Sequence, residues 1–178
     1  MTHVETNSTR STGTNQIEDE SRSSLPNDQK VPVAEFGEMT GVMVSLEEAR
    51  MALKGRRVVV VEDEGVTQMQ LRRCLVHAGL HIVATALNGR DGVAAVLRER
   101  PDIVLMDVRM PGMDGMEASE QILKALPVCI VMLTAFSDQE YLEQAHRLGV
   151  SGYIIKPITS DLLLPIMVQA YEVFQKRT

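Results

Sequence analysis

The chain predicts an α/β domain built on a parallel sheet with helices on both faces. Three observations carry that expectation. From Val58 onward, apolar runs of strand length alternate with helix-length segments, five of each. The first, third and fourth runs (Val58–Val61, Ile103–Met106 and Val128–Leu133) are continuously apolar rather than alternating, so both faces of those strands are buried. Helix stops fall where the alternation needs them, at Gly79, before Pro101 and at Gly149.

The elements follow in order. Ser45-Leu46-Glu47-Glu48 is a Ser-x-x-Glu capping box, which predicts a short lead-in helix over 46–53. The Val58–Val61 strand leads to a helix over 65–78. His81–Ala86 reads as the second strand and 89–99 as a helix. The third strand gives way to a Pro/Gly-rich loop and a helix over 115–126. After the fourth strand, Ser137-Asp138-Gln139-Glu140 is a second capping box opening a helix that ends at Gly149. Gly152–Ile155 is the fifth strand and 160–175 the last helix, which Pro165 should kink or delay because it lacks an N–H.

Upstream the character changes. Residues 1–30 are dominated by Ser, Thr, Asn, Asp, Glu and Gln without apolar periodicity, so they cannot offset their own ordering entropy. The expected organisation is a disordered or weakly ordered polar tail over 1–44, a lead-in helix over 45–54 and one domain over 55–178. Of the formal net charge of −6, residues 1–54 hold five basic and nine acidic side chains, hence −4, which leaves −2 for the domain. Neither part is the basic stripe that nucleic acid selects. Cys74 and Cys129 are read as two buried small hydrophobes in a reducing compartment. The start lacks the apolar core of a signal peptide, and no run approaches the ~18 apolar residues of a membrane span, so a cytoplasmic location is expected.

The chemistry gathers at the carboxyl ends of the strands, which in a parallel sheet share one edge. Glu62, Asp63 and Glu64 follow the first strand, Asp107 the third, Thr134 the fourth and Lys156-Pro157 the fifth. Singly, each has an ordinary explanation: an acidic turn, a turn former before Pro111-Gly112, a strand-end hydroxyl, an extended X-Pro pair. Jointly they form a site. Clustered carboxylates repel unless a cation joins them, and all-oxygen ligands suit Mg2+. A carboxylate beside such an ion can act as nucleophile towards a phosphoryl group, with a lysine and a hydroxyl orienting the transferring oxygens.

Four stretches carry a family resemblance: Val-Val-Val-Val-Glu62-Asp63-Glu64; Leu-Met-Asp107-Val-Arg-Met-Pro111-Gly112-Met-Asp-Gly115; Val-Met-Leu-Thr134-Ala135; and Gly152-Tyr153-Ile-Ile-Lys156-Pro157. Together they resemble the receiver domain of two-component response regulators over nearly all of 57–175. The resemblance implies a doubly wound, five-stranded parallel sheet of order 2-1-3-4-5 with five helices, the flavodoxin-like arrangement. It implies that Asp107 accepts a phosphoryl group and that Asp63 ligates Mg2+, with Glu62 acting directly or through water. The backbone carbonyl of Arg109 would complete the protein ligands. Lys156 and Thr134 would contact the acyl phosphate, and Tyr153 would be the aromatic that repacks as Thr134 moves. A cis Lys156-Pro157 bond is also implied. The donor would be a histidine kinase or histidine phosphotransfer protein, and the output a conformational signal to a partner protein. Homodimerisation through the face of the domain's fourth and fifth helices is a family habit.

Two positions depart from or qualify the pattern. Glu62 replaces the more common Asp, lengthening one acidic arm. Arg109 and Phe136 would line the approach to the phosphoryl group, and a bulky Phe136 predicts a relatively long-lived phosphorylated form. Leu-Thr-Ala-Phe-Ser and Ser-Asp-Leu-Leu-Leu-Pro-Ile also resemble receivers joined to RNA-binding antiterminator domains, which accounts for Pro165. The chain ends at Thr178 without room for that helical unit, so direct nucleic-acid contact is not expected. Two other classes compete. One is an interaction module with a receiver fold that ignores phosphorylation. The other is an aspartate-nucleophile phosphatase, against which stands Arg109 in place of the second Asp of Asp-x-Asp-x-Thr.

Overall fold

The computed structural model describes residues 44–135 and 139–178. The chain divides into Met1–Pro32 and Val33–Thr178, and every described residue belongs to the second unit. Five parallel strands lie in the order β2-β1-β3-β4-β5: β1 Arg57–Val61, β2 His81–Ala86, β3 Ile103–Asp107, β4 Cys129–Thr134 and β5 Gly152–Ile155. Among the described residues six helices accompany them: α1 Leu46–Leu53, α2 Gly65–His77, α3 Gly89–Glu99, α4 Gly115–Ala125, α5 Gln139–Leu148 and α6 Ser160–Arg177. The expected sheet order and double winding are what the structure has.

The sheet sorts its side chains by the two-residue period of a strand. Val58, Val60, Ile103, Leu105, Cys129 and Val131 face one layer, where they meet Leu71 and Leu75 of α2 and Leu163 and Met167 of α6. Val59, Val61, Val104, Met106, Ile130 and Met132 face the other, against Val96 of α3 and Ile122 of α4. Burial on both faces is why those strands read as unbroken apolar runs. Helix α1 joins the first layer. Its capping box closes in both directions, with the Glu48 N–H donating to Ser45 Oγ (3.2 Å) and the Ser45 N–H donating to Glu48 Oε2 (2.9 Å). Ala49 and Leu53 are then buried with the core.

Several expectations need correcting. Helix α6 runs unbroken from Ser160 to Arg177 with Pro165 inside it, so the proline does not delay the start. The proline deprives the Asp161 carbonyl of its helical donor, but Asp161 is exposed and water can replace it, while Leu163, Leu164, Ile166 and Met167 bury the helix around it. β3 extends to include Asp107, and β4 spans Cys129–Thr134 rather than starting at Val128. Cys129 is buried as expected, and burial pushes its thiol up to about 12, whereas Cys74 is only half-buried. The capping box at Ser137-Asp138 lies outside the described residues, as do residues 1–43. Among the described residues, no helix is long and apolar enough to cross a membrane.

Candidate functional site

The carboxyl edge of the sheet brings together what the sequence placed at four separate strand ends. β1 and β3 pair in register from Val58↔Ile103 to Val61↔Met106, so the residues that follow, Glu62 and Asp107, emerge side by side. The strand-like path continues past β1, because the Glu62 N–H donates to the Ala86 carbonyl (3.0 Å). Past β5, the Lys156 N–H donates to the Thr134 carbonyl (2.7 Å), and the Lys156-Pro157 peptide is cis.

The acidic triplet splits by environment. Glu62 is fully buried, whereas Asp63 and Glu64 are exposed. Lys156 Nζ lies 3.0 Å from Glu62 Oε1 as a hydrogen bond, 2.8 Å from Oε2 and 3.2 Å from Asp107 Oδ1. The Glu64 N–H also donates to Glu62 Oε1 (3.3 Å), and the Arg109 N–H donates to the Asp107 carboxylate. Glu62 Oε2 is buried and meets Lys156 only through the ionic contact, without a hydrogen bond of its own. Such an atom has capacity left for a ligand.

Oxygens of Glu62, Asp63 and Asp107 lie within 4.8 Å of one another. Three carboxylates at that spacing form a donor set suited to a hard divalent cation. The residues present therefore fit Mg2+. Thr134 and Tyr153 are both buried and line a small cavity with Val108, Met116, Tyr141 and Leu142. Arg109 is exposed, and Phe136 lies outside the described residues.

Sequence reasoning missed two supports. Gln68 Nε2 reaches the carbonyls of Glu62 (3.3 Å) and Ala86 (3.4 Å), tying α2 to the strand ends. Gly115 lets α4 start directly against the Asp107 backbone, since a β-carbon there would overlap the Asp107 carbonyl oxygen. Gln68 has no spacing signal. Gly115 stood in the quoted stretch but with no reason attached.

Burial pushes both Glu62 and Asp107 above the ordinary carboxylate range, and Lys156 only partly offsets it. For Lys156, desolvation pulls the value down, but the Glu62 hydrogen bond and the charges of Asp107 and Glu62 outweigh it and hold the value up. The signs then differ. The two carboxylates take up protons more readily folded than unfolded, so their contribution to stability falls as pH rises from about 4 through the raised values. The lysine's contribution is complete below about pH 10 and is lost only as pH rises through its raised value. Mg2+ requires ionised ligands, so its stabilisation should grow over the carboxylate window. Thermal unfolding with and without MgCl2 should show a larger Tm increase at about pH 7.5 than at about pH 5, and equal increases would contradict this account.

Comparison with known proteins identifies the family of the fold. Residues 58–167 match the response regulator receiver domain family. The chain is similar to the transcriptional regulatory protein PdtaR of Mycobacterium tuberculosis, 37% identical over 123 residues, covering 69% of this chain and 60% of that protein. It thus spans about three fifths of that relative's length. It is also similar to the chemotaxis protein CheY of Thermotoga maritima, 35% identical over 104 residues, covering 58% of this chain and 87% of that one. Among solved structures, the CheX–CheY complex with BeF3 and Mg2+ from Borrelia burgdorferi superposes with a TM-score of 0.61 at 25% identity, covering 64% of this chain and 88% of that one. With the five-stranded order, the strand-end carboxylates and the lysine already in place, the chain belongs to the response regulator receiver domain family.

Proposed function

We propose that this protein is a phosphoryl-accepting response regulator, with Asp107 as acceptor, a phosphohistidine as donor and Mg2+ as cofactor. The observation that carries the reading is the buried Asp107 carboxylate, 3.2 Å from Lys156 Nζ and grouped with Glu62 and Asp63. An Asp107 oxygen attacks phosphorus as the P–N bond of the donor breaks, leaving an aspartyl phosphate and a neutral histidine after proton uptake. Glu62, Asp63 and Asp107 would hold Mg2+, together with the Arg109 carbonyl, and the bound ion would neutralise charge on the phosphoryl oxygens. Lys156 is within reach of the acceptor and would turn from Asp107 to a phosphoryl oxygen. Thr134, at the end of β4, would approach the same group, and the buried Tyr153 would repack beside it as the output surface changes.

Turnover of an external substrate is not part of this reading. The domain promotes its own phosphorylation and dephosphorylation, receives from a histidine kinase or histidine phosphotransfer protein and signals to a protein partner. The organisation proposed with it is a polar tail over 1–44, a lead-in helix over 45–54 and the receiver over 55–178, in the cytoplasm. Arg109 and Phe136 would modulate access of water to the phosphoryl group.

Incubation with Mg2+ and acetyl phosphate tests this. Stable acid-resistant, base-labile labelling that disappears in Asp107→Asn is the expected result. No labelling of the wild type would leave a phosphorylation-independent interaction module, and many-turnover hydrolysis would indicate a phosphatase instead.

A further inference from the structure

Helix α3 braces the carboxylate edge through two glycines. It opens at Gly89 shortly after β2, and Asn88 fixes its first turn. Asn88 Oδ1 accepts the Asp91 N–H (2.9 Å), and Asn88 Nδ2 donates to Asp91 Oδ2 (2.8 Å). Gly89 and Gly92 stand three positions apart, so they share one face of that turn. Both are buried, and the neighbours of their missing β-carbons lie on the two segments that carry the acidic residues.

A β-carbon on Gly92 would meet Val61 Cγ1 at 2.7 Å and Cγ2 at 2.9 Å. Val61 is the last residue of β1, directly before Glu62 and Asp63. It is fully buried, and because both methyls face the helix, turning the isopropyl group leaves one of them there. A β-carbon on Gly89 would meet the Met113 carbonyl oxygen at 2.5 Å and the carbonyl carbon at 3.1 Å. Met113 lies in the loop that follows Asp107 and carries Arg109. The ends of that loop are fixed, since the Val108 N–H donates to the Leu133 carbonyl (2.9 Å) and Asp114 Oδ1 accepts the Glu117 N–H (2.8 Å). Between those anchors, Met113 rests on α3 at Gly89. Glycine is a poor helix former, so Gly92→Ala inside a helix should ordinarily stabilise it. The close approach to Val61 reverses that sign.

We propose that Gly89 and Gly92 are positioning residues for the cation site. They let α3 press against both ligand-bearing segments, which keeps Asp63, Asp107 and the Arg109 carbonyl at the spacing Mg2+ needs. This ion demands near-octahedral geometry at ~2.0–2.1 Å, so a displacement of about 0.5 Å in either segment weakens its binding. Neither glycine offers a side-chain atom to the ion, and replacing them removes neither a carboxylate nor Lys156. The inference rests on the reading of Asp107 as a Mg2+-assisted acceptor.

Isothermal titration of the full chain with MgCl2 reads the affinity, and urea denaturation without Mg2+ reads the fold. Gly92→Ala is expected to weaken Mg2+ binding at least about fivefold. Adding Val61→Ala should restore it to within about twofold, because removing the two methyls makes the room. Gly89→Ala meets backbone, so a loss of at least about tenfold is expected, and Met113→Ala should not repair it. Gly65→Ala is the control, with nothing within 4 Å of its missing β-carbon, and should bind as the wild type does. Should Gly89→Ala not fold, the Gly92 pair decides alone. Unchanged affinity in the glycine variants, or a Gly92→Ala defect that Val61→Ala leaves in place, overturns the inference. A lowered urea midpoint with unchanged affinity does so too, by assigning the glycines to stability alone. In each of these cases a wild type that binds Mg2+ and is labelled by acetyl phosphate leaves the acceptor reading standing. A wild type that binds no Mg2+ overturns both together.

Discussion

Gly115→Ala is expected to destabilise the fold by about 3 kcal/mol or more and to abolish cation binding at the carboxylates. Gly115 is the first residue of α4 and is buried. A β-carbon there would overlap the carbonyl oxygen of Asp107, with the Asp107 carbonyl carbon at 2.8 Å and Val108 Cα at 3.0 Å. All three are backbone atoms, so no rotamer change can make room. The Gly115 N–H also donates to the Val108 carbonyl (2.9 Å), which pins the contact. Relief therefore requires the end of β3 to move, and the Asp107 carboxylate moves with it. Gly112 is the control. It has φ +79°, but nothing lies within 4 Å of its missing β-carbon. Gly112→Ala should cost only about 1–2 kcal/mol, from left-handed backbone strain. Urea denaturation should separate the two, and Mg2+ should still stabilise the Gly112 variant but not the Gly115 variant. Similar losses in both would show that the Asp107 contact is not what demands glycine.

The sheet was legible because its chemistry is local and repeated. The runs Val58–Val61 and Ile103–Met106 are buried on both faces, and the two-sided requirement shows directly as unbroken apolar sequence. Element ends were less legible, since the last strand residue is set by its neighbour: Asp107 belongs to β3 because it pairs with Leu133. Pro165 misled for a related reason. Helix propensity is a local quantity, while α6 is held by core contacts along most of its length. At the candidate site, the residue types and their strand-end positions were readable, but their burial was not. Glu62, Asp63 and Glu64 are three acidic residues in a row, and only the fold buries the first and exposes the other two. The Glu62–Lys156 contact spans 94 positions, beyond any spacing rule.

Lys156→Met should be the most informative change at the site itself, costing about 3–5 kcal/mol at neutral pH in the absence of divalent cation. The ammonium is the only cation whose ion pairs reach Glu62 and Asp107 among the described residues, and its side chain is 20% exposed against 0% and 6% for the carboxylates. Removing it leaves two buried negative charges facing each other. They respond by taking up protons, so their already raised pKa values rise further. The sign follows: the variant should regain stability as pH falls through that window and lose it more steeply than the wild type as pH rises. Mg2+ should then replace the missing positive charge, so the variant's stability gain on adding the ion at neutral pH should exceed the wild type's. Chemical denaturation at about pH 5 and about pH 7.5, with and without MgCl2, measures all four corners. A pH-independent loss, or a Mg2+ response no larger than the wild type's, would mean that Lys156 acts by packing its methylenes rather than by holding two carboxylates together. Because metal and lysine answer the same charges, Lys156 would be released from Asp107 when the cation binds, free to meet an incoming phosphoryl oxygen.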